Sequence, residues 1–222
     1  MLETSGSREM GMTAPRLGEI VPDFDAIGTQ GPLKLSTLRD DWVVLFSYAA
    51  DFHPVAATEF IAFAELYQEF QRRTCHVVAL SCDSLTSHIA WVRDLEQISG
   101  QKVPFQVLAD GSQRIARAFG LIHPLMGEQS TVSATFILDP QRVLRAQMFY
   151  PPSTGRSVTE ILRTVVALQV CDVESIDTPA DWQPGEPVLV PAPRTQESAD
   201  RRPEEEAECT TWYLCHRPLK QQ

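Results

Sequence analysis

The sequence predicts an α/β fold, a mixed sheet flanked by helices, and two observations carry that prediction. Apolar runs of strand length alternate along the chain with stretches whose apolar residues recur at helical spacing. Late in this alternation two strand-like runs are separated by Asp139-Pro140-Gln141-Arg142, turn chemistry that makes them an antiparallel hairpin.

Asp41-Trp42-Val43-Val44-Leu45-Phe46-Ser47 is a short apolar run suited to a central buried strand. A helix is expected over 57–73, where Phe60, Ile61, Phe63, Ala64, Tyr67 and Phe70 fall on one face. His76-Val77-Val78-Ala79-Leu80-Ser81 reads as the next strand. Asp83-Ser84 then supplies an N-cap for a helix through Ile89, Trp91, Val92 and Leu95, stopped by Gly100. Phe105-Gln106-Val107-Leu108-Ala109-Asp110 reads as a strand and 112–121 as a helix, with the hairpin strands at 135–138 and 143–150. Ile161, Leu162, Val165, Val166 and Leu168 mark a closing helix over 157–170. From about Val173 the residues Pro179, Pro184, Pro187, Pro191 and Pro193 enforce an extended segment with little core of its own. The expected organisation is a main domain over 17–170, an arm over 171–222, and a polar, flexible N-terminus over 1–16.

The 222 residues suffice for one well-buried domain with an extension. Hydrophobic residues make up 43%, yet no apolar run approaches the roughly 20 residues that cross a bilayer, so no membrane partner is expected. The start of the chain lacks the basic, apolar and small-residue zones of a secretory signal, and a cytoplasmic location is the default. A net charge of −10 disfavours nucleic acid, whose binding rests on clustered Lys and Arg. The acidic run Pro203-Glu204-Glu205-Glu206-Ala207-Glu208 reads as a solvated linker. In such a compartment the five cysteines are expected as reduced thiols rather than as a disulfide framework. Cys75 and Cys82 are expected to serve core packing. No glycine-rich phosphate loop and no dinucleotide fingerprint occurs, and no cofactor is expected.

One segment carries a specific resemblance. Phe46-Ser47-Tyr48-Ala49-Ala50-Asp51-Phe52-His53-Pro54-Val55-Ala56-Ala57-Thr58-Glu59-Phe60 resembles the active-site stretch of peroxiredoxins, in which a strand runs into a loop and a peroxide-attacking cysteine opens a helix. Ala180-Asp181-Trp182 followed by Gly185-Glu186-Pro187-Val188 is similar to the C-terminal arm of the one-cysteine and archaeal-type members. The order of Asp83-Ser84, His88-Ile89-Ala90-Trp91, Tyr150-Pro151 and Thr154-Gly155-Arg156 agrees with that family as well, so the likeness runs from about Leu17 to Cys215. It implies a thioredoxin-like mixed sheet flanked by helices, an extended C-terminal arm that crosses to a partner, and a homodimer or higher ring.

In that alignment Ala56 stands where the family has its attacking cysteine. Ala49 replaces the shielding proline, His53 the peroxide-binding threonine, and Ser133 the arginine that lowers the thiol pKa. Alanine cannot attack an O–O bond, which needs a thiolate. The expectation is therefore a homologue that is not a peroxidase and binds a small ligand or a partner through a reshaped pocket. An alternative is a repurposed enzyme in which His53, beside Tyr48 and supported by Asp51 or Glu59, does acid–base work on a small organic substrate. Against both stands the plainer reading that His53 only fills volume. Glu59 and Arg156 match the family's second carboxylate and second arginine, either orienting a small polar ligand or forming a structural ion pair.

Cys209 and Cys215, in Cys209-Thr210-Thr211-Trp212-Tyr213-Leu214-Cys215-His216, match an arm segment with which the archaeal-type members resolve the oxidised sulfur. Here the pair is an inherited remnant, a disulfide of its own, or an acceptor of one from a partner. A second alternative for the whole chain is a residual thiol peroxidase working through this pair. Their spacing with His216 is not that of a compact zinc site, and no metal is expected.

Overall fold

A computed structural model describes residues 14–123, 130–205 and 208–219, with the backbone alone for 203–205. Most of the N-terminal segment expected to be flexible, and the side chains of 203–207 in the acidic run, lie outside the described residues. The chain divides into two compact units, 1–158 and 159–222.

The first unit is built on a seven-stranded mixed sheet. Its strands are β1 (Asp25–Gly28), β2 (Gly31–Lys34), β3 (Trp42–Ser47), β4 (Cys75–Ser81), β5 (Gln106–Ala109), β6 (Ser133–Leu138) and β7 (Leu144–Tyr150), in the order β2-β1-β5-β4-β3-β6-β7. The neighbours β3, β4 and β5 run parallel, and the outer pairings are antiparallel. All six residues of β3 are buried, as expected of a central strand flanked on both faces.

Three helices accompany this sheet: α1 (Pro54–Arg72), α2 (Leu85–Ser99) and the short α3 (Arg114–Ala118). Helix α1 starts three residues before the expected 57, because Pro54 enters the helix at its first turn, where its fixed φ fits and its missing N–H is not needed. Ser84 caps α2 by accepting from the Ser87 N–H, and Gly100 ends it at φ 70°, a left-handed conformation that glycine adopts without strain. The expected helix over 112–121 contracts to five residues, since Phe119 leaves helical geometry and Gly120 turns at φ 66°. The hairpin β1–β2 has no counterpart among the sequence expectations. One face of the sheet packs Val21, Phe24, Leu45, Val78, Leu108, Phe119 and Phe136 into a single core.

In the second unit α4 (Val158–Glu174) is followed by β8 (Val188–Leu189), α5 (Gln196–Glu205), β9 (Glu208–Thr211) and β10 (Leu214–Arg217). The three strands form a small antiparallel sheet in the order β8-β10-β9. A separate small core of Val166, Ala167, Ile176, Trp182 and Val188 supports it, with the Trp182 indole N–H donating to the Glu186 carbonyl at 3.0 Å. The proline-rich segment carries no helix before Pro193, and α5 begins only beyond it.

Candidate functional site

The loop of residues 48–53 joins the C-terminal end of β3 to the N-terminus of α1. Phe52 turns this loop at φ 60°, and His53 sits at the N-cap of α1 without a side-chain capping bond. Ala56, in the first turn of α1, is 3% exposed. Ala49 is half-buried on the loop. Ser133 opens β6, buried and opposite Tyr150.

Tyr48 is fully buried, its ring 5.0 Å from Phe60 and 5.3 Å from Trp91. Its hydroxyl donates to Asp51 Oδ1 at 2.8 Å. The same carboxylate meets His88 Nδ1 at 2.9 Å, and His88 Nε2 lies 3.2 Å from the Leu108 carbonyl. The Asp51 N–H donates to Asp83, whose carboxylate also accepts from Ser81. Burial, then the charge of Asp51, drives the Tyr48 phenol well above its usual pKa, so it stays a neutral donor. Burial pushes the Asp51 carboxyl up, but hydrogen bonds from His88 and Ser87 outweigh it and hold the group below the ordinary value.

Sequence reasoning missed His88. The expected apolar stripe ran through Ile89 and Val92, whereas the buried face of α2 is His88, Trp91 and Leu95, and Ile89 is exposed. The spacing 88, 91, 95 was the available signal.

Glu59 and Arg156 do come together, from residues 97 apart in sequence. Arg156 Nε and its backbone N–H each donate to Glu59 Oε1 at 2.9 Å, and the second guanidinium arm pairs with Oε2. The remaining nitrogen donates to the Ala134 carbonyl at 2.9 Å, and the guanidinium carbon lies 5.0 Å from the Phe46 ring centre. Both side chains are buried, so the pair spends its capacity on itself and on the β6 backbone. Asp51 and Glu59, the two carboxylates considered as supports for His53, are thus engaged elsewhere.

The cysteines divide sharply. Cys75 lies at the start of β4, 1% exposed, its thiol pushed up to about 12 by burial. Cys82 follows the same strand and is pushed up to about 11 by burial and then by Asp110 and Asp83. Burial also raises Cys171. Cys209 and Cys215 are joined in a disulfide, their Cα atoms 4.0 Å apart. This corrects the expectation of five reduced thiols. The tight β9–β10 hairpin sets Cys215 directly opposite Cys209, a register in which two cysteine side chains meet. Cys215 is wholly buried and Cys209 half-buried.

Comparison with known proteins places these features. A family model described as the AhpC/TSA family matches residues 17–147, and one for the C-terminal domain of 1-Cys peroxiredoxin matches 167–205. A peroxiredoxin of Aquifex aeolicus is 44% identical over 220 residues, covering 94% of this chain and 99% of the relative. Peroxiredoxin 2 of Caldanaerobacter subterraneus subsp. tengcongensis is 43% identical over 207 residues, with 92% and 94% covered. Among solved structures, a Cys→Ser mutant of peroxiredoxin 6 from Arenicola marina superposes with a TM-score of 0.82 at 34% identity, covering 93% of this chain and 99% of that one. A yeast mitochondrial 1-Cys peroxiredoxin, solved for its thiol resolving mechanism via glutathione/thioredoxin systems, gives 0.83 at 32% identity, with 92% and 99% covered.

These matches confirm the thioredoxin-like fold class and correct the functional expectation. A chain expected to bind a ligand without being a peroxidase, or to have become an unrelated acid–base enzyme, is similar over nine-tenths of its length to proteins named peroxiredoxin. Nothing positive in the geometry points away from that chemistry.

Proposed function

Because the chain belongs to the AhpC/TSA family of peroxiredoxins, we propose that it reduces peroxides with thiol electrons, and that Cys209 and Cys215 supply them. The observation that carries this reading is the pairing of their side chains across the β9–β10 hairpin, which sets the two sulfurs within disulfide-bonding reach of each other.

On the family alignment the attacking sulfur would fall at Ala56, whose methyl group has no electrons to give. Cys75 is a poor substitute: a thiol held near 12 is ionised in only about one molecule in 10⁵ at pH 7, and it is buried in the sheet. Cys82 fares little better near 11. In the arm, half-buried Cys209 is the sulfur a peroxide can approach, and buried Cys215 stands next to it.

The Cys209 thiolate attacks one peroxide oxygen, the O–O bond breaks, and the other oxygen leaves as an alcohol or water after taking up a proton. Cys209 is then a sulfenic acid. Cys215 attacks that sulfur, hydroxide leaves and is protonated to water, and the disulfide forms. Two electrons pass from the two thiols to the peroxide, and an external thiol restores the pair.

A homodimer or higher ring through the arm belongs to this reading, supported by the resemblance of residues 167–205 to the C-terminal domain of 1-Cys peroxiredoxin. No helix among the described residues is long and apolar enough to cross a membrane. A cytoplasmic setting would supply the reducing thiols.

The test is hydrogen peroxide consumption driven by dithiothreitol, compared with dithiothreitol alone. Wild-type protein is expected to accelerate it, Cys209→Ser to abolish the acceleration, and Cys75→Ser to leave it intact. Acceleration that survives Cys209→Ser but not Cys75→Ser would move the chemistry to the sheet and overturn the assignment.

A further inference from the structure

The main sheet ends in a step. Strand β4 begins at Cys75, but β5 pairs with it only from Val78 onward. At that step the first unit holds a cavity of about 240 Å³, and none of the five cysteines lines it. Leu33, Leu38 and Phe105 give it apolar walls, and Tyr67, His76 and Gln30 bring polar groups to it. We infer that this cavity binds a small phenol, a single aromatic ring carrying a hydroxyl and no formal charge.

The wall is built before any ligand arrives. Gln106 accepts from the Gln30 N–H and donates to the Gly31 carbonyl, both at 2.7 Å, so its amide is spent on holding the β1–β2 turn in place. The volume sets the size of the ligand. A cavity of about 150 Å³ holds benzene, so this one admits a ring with a hydroxyl and a further small group. It is below the roughly 300 Å³ at which sites for larger ligands begin.

The polar groups set the chemistry. His76 Nε2 meets the Asp41 carboxylate at 2.7 Å; the carboxylate accepts, so the neutral imidazole carries its proton there and keeps Nδ1 as an acceptor. Asp41 itself is not part of the wall. The Tyr67 hydroxyl has no hydrogen-bond partner among the described residues, and burial raises this phenol above its ordinary value, so it stays an O–H donor. An acceptor and a donor on one cavity suit a hydroxyl, which gives one hydrogen bond and takes another. No Lys, Arg, Asp or Glu lines the cavity, and the one imidazole already has its carboxylate, so a charged ligand would lose its hydration without a counterion. Phe105, whose ring centre lies 6.4 Å from that of Tyr67, offers a flat apolar surface to an aromatic ring.

The probe is 4-methylphenol, titrated into the full-length chain and followed by amide and imidazole NMR shifts. Saturable shifts centred on Gln30, His76, Val78 and Gln106 are expected at millimolar concentration. In the same protein 4-methylanisole, which cannot donate, and toluene, which has no oxygen, should each bind about three- to tenfold more weakly, the scale of one neutral hydrogen bond. Benzoate should bind more weakly still. Tyr67→Phe should cost 4-methylphenol a similar factor and leave toluene unaffected, whereas Tyr213→Phe, in the arm, changes neither. Shifts that do not saturate, shifts centred elsewhere, or toluene bound as tightly as 4-methylphenol would overturn the assignment. The ligand comparison uses only the unaltered protein, so it stands even where a substitution disturbs folding.

Discussion

Replacing Glu59 with glutamine is expected to be among the most damaging single changes in the first unit. Its carboxylate accepts three N–H donors of Arg156, two from the guanidinium and one from the backbone. Glutamine keeps one acceptor and turns an NH₂ group toward a guanidinium that is already a donor. Arg156 is then a buried cation left with the Ala134 carbonyl, a long contact to Thr135 at 3.4 Å and the face of Phe46. Breaking a buried ion pair from one side costs about 3–5 kcal/mol, whereas removing both charges into a well-packed apolar pair is often neutral. For a chain of this size that is a fall in Tm of roughly 6–20 °C. Glu59→Leu combined with Arg156→Met should recover most of the loss. The assay is thermal and urea unfolding of the three proteins at one pH. A single variant within about 1 kcal/mol of wild type, or a double variant as unstable as the single, would refute the view that this pair is a structural clamp between α1 and β6.

Asp51→Asn should lower stability by about 1.5–3 kcal/mol at pH 7, the scale of hydrogen bonds to a charged group. Because the folded Asp51 carboxyl lies below its unfolded value near 3.8, its contribution is complete above that pH and is lost as pH falls through the folded value; the wild-type advantage over the variant should shrink on acid titration and not on alkaline titration. In native protein Cys75 should resist iodoacetamide at pH 8 and react once the chain is unfolded, with mass spectrometry as the readout, since burial holds its thiol near 12. Gly28→Ala should destabilise the β1–β5 pairing by about 1–3 kcal/mol in urea unfolding, because a Cβ there would lie 2.7 Å from the Val107 carbonyl oxygen and 2.9 Å from a Leu108 methyl.

The central strands were legible because burial on both faces leaves an unbroken apolar run, as in Trp42–Ser47. Helix α2 was legible at both ends for local reasons, a serine that caps it and a glycine that turns left-handed after it. The β1–β2 hairpin was not, since two strands of four residues, the edge strand β2 carrying a proline, leave too little pattern to read. Helix α5 has no apolar stripe, begins just past Pro193 and itself contains Pro203, so the proline signal hid it.

At the site, Glu59 and Arg156 could be singled out from the resemblance but not their closed geometry, which exists only when α1 and β6 are packed. His88 was hidden because a histidine within an apolar stripe does not announce that a carboxylate 37 residues away will meet it. The Cys209–Cys215 bond follows from a hairpin register that five intervening residues allow and that composition alone argued against.

The most direct test of the account is an anaerobic titration of the fully reduced protein with hydrogen peroxide, with thiols mapped by alkylation and mass spectrometry. Two thiols lost per peroxide, both from Cys209 and Cys215, with Cys75, Cys82 and Cys171 still free, is the expected result. Oxidation that begins at Cys75 or Cys82, or a pair that stays reduced while peroxide is present in excess, would contradict it.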